Sequence, residues 1–159
     1  MSLLVFAQTS LACEPTVQQL EEMAQRDRDI EEKYLAKLAL EAEHIFVGMV
    51  ESVRDSNSEE YGQIADIKIE RVLKGTSKSK VSALMYKLNH TEEDTEEEIY
   101  YCGKPYDPTE DEAYTVVGER ALFYISKGVL LRVNPFPIEP QLLRFNVNGE
   151  IQFIESKVN

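Results

Sequence analysis

The hydrophobic period of this chain changes at His44, and that change limits the folds open to it. From Thr16 to Ala42, apolar residues recur every three or four positions, which is typical of an amphipathic helix with Thr16 as its N-cap. The second half of this helix carries the stronger apolar stripe, so we expect it to dock on the core while the polar first half stays mostly exposed. A helix that binds a partner is the functional alternative.

After His44 the sequence has the pattern of short strands separated by turn residues. Predicted strands cover residues 45–53, 63–73, 81–88, 120–126 and 129–133. Asn148-Gly149 is a strong hairpin signal and predicts a terminal hairpin made of residues 142–147 and 150–154. One helix followed by several short strands favours a small barrel over an α/β sheet.

Length and charge narrow the class of protein. A chain of 159 residues suits one domain and can bury a core without metals or many crosslinks. Its 29 acidic and 17 basic residues give a formal charge of −12, which repels phosphate backbones and excludes nucleic acid as a partner. Two acidic runs, 92–98 and 107–112, predict solvated loops. A loose divalent-cation site is the alternative, without the residue alternation of a calcium loop.

The first twelve residues resemble the end of a signal peptide. Leu3 to Ala7 form a short apolar core, and Ser10-Leu11-Ala12 places small residues where a signal peptidase cleaves before Cys13. This predicts a secreted or periplasmic protein, with residues 1–12 as the signal-peptide remnant. The apolar run is too short to span a bilayer. The alternatives are a buried strand or disordered tag, and a lipid anchor on Cys13.

The chain has two cysteines, Cys13 and Cys102. In an oxidising compartment such a pair indicates one disulfide, which would contribute roughly 4–5 kcal/mol in the chain-entropy model. In a reducing cytosol both would be free thiols. The predicted export favours the disulfide.

Residues that could carry out chemistry are few. His44 and His90 are the only histidines, and neither has a cysteine or histidine partner at metal-binding spacing. The sequence has no nucleophile elbow, P-loop or dinucleotide-binding motif. Its carboxylates lie mainly in polar runs, where catalytic activation is not expected. We therefore predict a non-enzymatic binding protein without a metal or cofactor.

Four features follow one another in a recognisable order. They are Cys13 after the cleavage site, the strand 42–50, the strand 65–75 ending in Lys74-Gly75, and Cys102-Gly103 followed by the strand 117–125. In this order they resemble the netrin-type domain of the tissue inhibitors of metalloproteinases and their bacterial relatives. The similarity covers residues 42 to 133 together with Cys13.

The resemblance implies a mainly β, five-stranded OB-fold-like barrel, a Cys13–Cys102 disulfide and a single domain over residues 13–159. Its parts would be a helical segment (13–43), the barrel (44–133) and a C-terminal extension with the β-hairpin (134–159). In the animal inhibitors, the mature N-terminal cysteine binds the protease zinc through its α-amine and carbonyl, because catalytic zinc keeps one position open. Here that implies zinc contact by Cys13, with Glu14 facing the specificity pocket.

The sequence also departs from the inhibitors. Pro15 stands where the family has a second cysteine, Glu14 is charged, and the helical insertion from Thr16 to Glu41 is long. We therefore expect an exported, non-catalytic binding module with an inhibitor-like fold and a protein partner. Metalloproteinase inhibition through Cys13 is the alternative. A carboxylate-dependent enzyme is a remote alternative, which requires a concave pocket with two convergent acids.

Overall fold

The residues that the structure describes form a closed five-stranded barrel, with one helix before the strands and another after them. The computed structural model describes residues 16–58, 60–75, 78–86, 113–136 and 146–158. The elements are α1 (Val17–Glu41), β1 (His44–Asp55), β2 (Tyr61–Lys74), β3 (Lys80–Tyr86), β4 (Arg120–Ser126), β5 (Val129–Pro135) and α2 (Val147–Val158). Neither helix is long and apolar enough to cross a membrane.

The strands close in the order β1-β2-β3-β5-β4. Every neighbouring pair is antiparallel except β3 and β5, which run parallel and meet at one residue pair, Leu84 and Val129. At this seam the Leu84 amide donates a hydrogen bond of 2.8 Å to the carbonyl of Gly128. The predicted mainly β, OB-fold-like barrel is therefore confirmed, and its weakest closure lies between β3 and β5.

Strand β1 pairs on both sides and must bend to do so. The register of β1 against β2 shifts between Val47 and Gly48. A Cβ atom on Gly48 would lie 2.7 Å from the carbonyl oxygen of Lys68 and 2.9 Å from Cγ2 of Ile67. Glycine therefore allows the two strands to approach closely at the bend.

Two apolar layers stabilise the fold. The barrel interior is filled by buried side chains from all five strands: Phe46, Val50, Ala65, Ile67, Ala83, Met85, Ala121, Phe123, Ile125 and Leu130. The second layer lies between the barrel and the helices, and consists of Leu35, Leu38, Ala39, Ala42, Ile45, Val47, Leu122, Tyr124, Val147, Ile151 and Ile154. The predicted docking of the second half of α1 is confirmed, because this half supplies Leu35, Leu38 and Ala39 to that layer and its C-cap supplies Ala42.

Both ends of α1 are capped, but by different means. Thr16 accepts a hydrogen bond from the Gln19 amide and the Gln19 side chain accepts one from the Thr16 amide, which forms a capping box and confirms the predicted N-cap. The last turn contains no basic residue. Instead, Lys74 Nζ of β2 donates to the carbonyls of Ala39, Leu40 and Ala42 at 2.7, 3.2 and 2.6 Å. A strand residue thus supplies the positive charge favoured at a helix C-terminus.

Replacing Lys74 by methionine should lower the free energy of unfolding by about 1–2 kcal/mol, because three carbonyls lose a charged donor. Urea unfolding of the variant measures the loss. Lys68→Met, at an exposed position of the same strand, is the matched control and should change stability by less than about 0.5 kcal/mol. Equal effects of the two substitutions would contradict a capping role for Lys74.

The predicted C-terminal hairpin is wrong: Val147–Val158 form helix α2. Asn146 accepts a hydrogen bond from the Gly149 amide at 2.8 Å, so Asn146 caps a helix that begins before the Asn148-Gly149 pair. Ile151 and Ile154 are buried with Val147 at helical spacing. Burial of this 3.6-residue stripe against the barrel prevails over the local turn preference of Asn-Gly.

Candidate functional site

A cluster of buried polar side chains connects both helices to the barrel. Glu150 of α2 is fully buried. Its Oε1 accepts hydrogen bonds from Tyr124 Oη at 2.7 Å and Arg132 Nε at 3.1 Å. Its Oε2 accepts from Arg132 Nη2 at 3.1 Å and Asn134 Nδ2 at 2.6 Å. Arg132 Nη2 also donates to Glu31 of α1 at 3.2 Å. We call these five residues the buried charge cluster.

Electrostatics keep the donors of this cluster protonated. Burial raises the pKa of Tyr124 far above its ordinary value, and the charge of Glu150 adds to the shift. Burial alone would lower the pKa of Arg132, but hydrogen bonds to Glu150 and the negative charge of Glu150 raise it above its ordinary value. The phenol therefore stays a donor and the guanidinium stays charged. Because every member is buried, this arrangement fixes the helices and is closed to a substrate.

The cluster also corrects one expectation about α1. The first half of the helix is mostly exposed, as predicted, but Asp27 and Glu31 are buried. They occupy the same helix face as Leu35 and Leu38, three or four residues apart. Glu31 forms a buried ion pair with Arg132, which lies about a hundred residues away in the chain. The sequence pattern of α1 alone could not reveal this partner.

A second polar feature lies on the outer face of β1, β2 and β3. Asp66 accepts hydrogen bonds from Ser82 Oγ at 2.6 Å, Ser52 Oγ at 2.8 Å and Arg54 Nε at 3.4 Å. The hydrogen bonds from Ser82 and Ser52 hold the pKa of Asp66 below its ordinary value of 3.8. A cavity of about 360 Å³ lies beside this carboxylate, lined by Glu51, Ser52, Asp66, Lys80, Val81 and Ser82.

This shift in the pKa of Asp66 predicts a pH dependence of stability. A carboxyl whose folded pKa is lowered stabilises the fold above its unfolded value of 3.8, and the stabilisation is lost as pH falls below that value. The stability difference between the native protein and Asp66→Asn should therefore shrink between about pH 5 and about pH 2 in urea titrations. Ser82→Ala should reduce this dependence, since Ser82 is its main source. A difference that does not change with pH would contradict the assignment.

The third feature is an open groove across the β3–β5 seam. It is lined by Glu41, Tyr61, Leu84, Tyr86, Ser126, Lys127, Val129 and Leu131, and its volume is about 630 Å³. The Tyr61 and Tyr86 rings face each other across β2 and β3, with centroids 5.1 Å apart and planes tilted by 45°. Tyr86 is 53% exposed. We call this feature the tyrosine groove.

Several charges surround the tyrosine groove. Partial burial, the hydrogen bond to Tyr86 and the charge of Glu60 raise the pKa of Tyr61, so Tyr61 remains a neutral phenol. At the other end of the groove, Glu41 lies 3.7 Å from Lys37. The Lys127 amide donates a hydrogen bond of 2.8 Å to the carboxylate of Glu43. Lys127 is the one cation among the lining residues that the structure describes.

The structure does not describe the residues predicted to act in binding. Cys13, Glu14 and Cys102 fall outside the described residues, as do His90 and the acidic runs 92–98 and 107–112. The disulfide, the zinc contact and the loop assignments therefore stay predictions. His44 is the first residue of β1, at the predicted junction between helix and strand. Across the described ranges, no group of three or more histidine, cysteine, aspartate or glutamate residues could hold a metal ion.

The fold and its surface define an OB-fold-like barrel, flanked by two helices, that carries an open aromatic groove. No family model matches the chain, and neither do any of the curated proteins or solved structures with which it was compared. The resemblance to netrin-type domains therefore stays a proposal.

Proposed function

We propose that this protein is an exported, non-catalytic binding module that holds a protein partner in the tyrosine groove. The Tyr61–Tyr86 pair, in which Tyr86 is exposed and Tyr61 partly buried, is the observation that carries the proposal. Tyrosine is enriched at protein interfaces because its ring supplies apolar contact area while its hydroxyl stays hydrated. Leu84, Val129 and Leu131 extend the apolar surface on both sides of the seam.

The open shape of the groove favours a protein over a small molecule. Pockets for small ligands bury most of the ligand surface. Here Tyr86 is about half exposed, and the lining residues come from four strands (β2, β3, β4 and β5), a turn and the end of α1. Such a surface offers contact area and does not enclose a ligand. Its composition resembles the aromatic centre of an interface with a polar rim.

The packing of the barrel supports binding over catalysis. The interior is occupied by apolar side chains, which leaves the strands to act as a scaffold. Of the carboxylates beside the 360 Å³ cavity, Glu51 forms an ion pair with Lys80. The other, Asp66, has a lowered pKa, whereas a general acid needs a raised one. A carboxylate-dependent enzyme therefore has little support among the described residues.

Photo-crosslinking from within the groove tests this proposal. The protein with Tyr86→p-benzoylphenylalanine, produced in its own cell and irradiated, should form a discrete protein adduct. The same substitution at Tyr114, an exposed tyrosine that does not line the groove, is the matched control. An adduct that depends on position 86 and disappears with Leu84→Glu is the expected result. Equal labelling from both positions would overturn the proposal.

The exported state is tested separately by intact mass and non-reducing peptide mapping. A chain that begins at Cys13 and carries a Cys13–Cys102 disulfide is the expected result. Retention of residues 1–12 with two free thiols would overturn export and the inhibitor alternative together. If a zinc protease is inhibited by the mature protein, one added residue before Cys13 should abolish inhibition, because the α-amine would no longer reach the metal.

A further inference from the structure

The Tyr61–Tyr86 pair presents an aromatic face next to negative charge. The rings are tilted by 45° with centroids 5.1 Å apart, and Tyr86 leaves about half of its surface open to solvent. The face of an aromatic ring carries negative electrostatic potential and attracts a cation placed over it. Glu60 lies close enough to Tyr61 to raise its pKa by charge and hydrogen bonding. The aromatic face and the Glu60 carboxylate therefore both favour a positively charged ligand.

The charges at the opposite end of the groove balance, so its excess negative charge lies beside the tyrosine pair, at Glu60. Glu41 lines the groove, and Glu43 accepts a hydrogen bond from the backbone of Lys127. Lys127 and Lys37 offset two of the three surrounding carboxylates, counting Glu60, so one negative charge remains. The whole chain has a formal charge of −12. This field attracts a cationic partner and opposes association with a second copy of the chain.

Nucleobases also stack on exposed tyrosines, but the negative charge of this protein disfavours nucleic acid as the ligand. Proteins that bind single-stranded nucleic acid combine aromatic platforms with a positively charged groove. The lining of the tyrosine groove has no such excess of positive charge: Lys127 is matched by Glu41, Glu60 lies beside the rings, and the whole chain carries a charge of −12 that repels a phosphate backbone. A flat, cationic group is the ligand that satisfies both the rings and the carboxylates.

The apolar part of the groove selects among cations. Leu84, Val129 and Leu131 are the aliphatic residues of its lining. Arginine combines a planar, weakly hydrated guanidinium, which stacks on aromatic rings, with an apolar stem that can cover such a surface. The ammonium of lysine is strongly hydrated and lacks a flat face.

We propose that the tyrosine groove seats an arginine side chain of a partner protein. Its guanidinium lies over the exposed face of the Tyr61–Tyr86 pair, within reach of Glu60, and its stem and apolar neighbours contact Leu84 and Leu131. This inference rests on the proposed function, since it names the chemistry of the partner bound at the same groove.

A peptide titration followed by NMR tests this inference on the full chain. The probe is the acetylated and amidated heptapeptide Gly-Ser-Leu-Arg-Leu-Ser-Gly, and its twin carries citrulline, which is neutral but nearly the same shape. Amide signals of Tyr61, Leu84 and Tyr86 should shift with the arginine peptide. The citrulline peptide should bind on the order of tenfold more weakly, the loss expected when a cation–π contact and an ion pair disappear together.

Substitutions in the groove distinguish binding through the aromatic face from binding through apolar contact alone. Tyr86→Phe keeps the ring and should retain binding of the arginine peptide, whereas Tyr86→Leu should weaken it on the order of tenfold. Glu60→Gln should weaken it less. Tyr114→Leu and Glu22→Gln, at exposed positions that do not line the groove, are matched controls and should bind like the native protein. Unchanged unfolding midpoints would show that each variant is folded.

The outcomes distinguish this inference from the function on which it rests. Equal affinity for the arginine and citrulline peptides, shifts confined to another surface, or no binding would overturn the inference. If position 86 still crosslinks a partner protein in those cases, the binding function stands without the arginine. An adduct with the mass of two chains would assign the groove to self-association and would also overturn the inference.

Discussion

Replacing Arg132 by methionine should lower the free energy of unfolding by about 3–5 kcal/mol, because two carboxylates would remain buried without their shared cation. Arg132 bonds both oxygens of Glu150 and one oxygen of Glu31. Methionine fills a similar volume, so the loss reports charge and hydrogen bonding more than packing. Urea unfolding followed by circular dichroism measures it.

The exposed ion pair between Arg71 and Glu155 provides a matched control. Like the Arg132–Glu150 pair, the Arg71–Glu155 pair links an arginine on a strand to a glutamate of α2. Its side chains, however, lie at the surface. Arg71→Met should cost less than about 1 kcal/mol, because solvent screens an exposed pair. If the two arginine substitutions cost the same, the buried charge cluster does not stabilise the helices as the geometry indicates.

The conservative variant Glu150→Gln separates charge from hydrogen bonding at the same position. Glutamine keeps one acceptor oxygen for Tyr124 or Arg132 but removes the negative charge that balances the guanidinium. We expect a loss smaller than that of Glu150→Ala, which deprives Tyr124, Arg132 and Asn134 of their acceptor at once. An equal loss for both variants would show that the hydrogen bonds contribute little.

The barrel could be predicted because its strands have a simple pattern. Inward residues alternate with outward ones along β2. Ala65 and Ile67 are buried, whereas Asp66 is partly exposed and Lys68 is exposed. Alternation of this kind specifies both a strand and its buried face. The helix α1 was equally predictable, since its N-cap and apolar stripe agree.

The candidate site could not be predicted because it depends on pairing between distant strands. Tyr61 and Tyr86 become neighbours only through the register of β2 with β3. Glu150 follows Asn148-Gly149, whose turn preference points to a hairpin. Only the spacing of Val147, Ile151 and Ile154 indicates the helix that buries it. These features depend on tertiary contacts that single-sequence patterns do not contain.

The zinc contact implied by the netrin-like resemblance uses residues that do not line the tyrosine groove as the structure describes it. Its decisive residues, Cys13, Glu14 and Cys102, lie outside the described residues, whereas the tyrosine groove is lined by residues of β2, β3, β4 and β5, the turn at Lys127 and the end of α1. The two proposals are therefore independent: a binding role for the groove stands or falls without zinc contact at Cys13. Peptide mapping tests one and crosslinking from position 86 tests the other.

Replacing Phe123 by alanine should lower the free energy of unfolding by about 3–5 kcal/mol, because it opens a cavity in a filled barrel. Phe123 is fully buried, and its ring centroid lies 5.7 Å from that of Phe46. Urea unfolding measures the loss. Tyr114→Ala, which removes an exposed aromatic ring, is the matched control and should cost less than about 1 kcal/mol.

The cavity also gives a direct test of whether the barrel interior is scaffold or binding site. An apolar cavity stays dry and can admit a small apolar probe such as benzene, which stabilises the folded state in proportion to its occupancy. Benzene should therefore raise the Tm of Phe123→Ala while leaving the native protein and Tyr114→Ala unchanged. A rise in the Tm of the native protein would mean that its interior already admits ligands, contrary to the packing of Phe46 and Phe123. An unchanged Tm of the native protein would instead agree with the proposal that binding takes place on the outer surface, at the tyrosine groove.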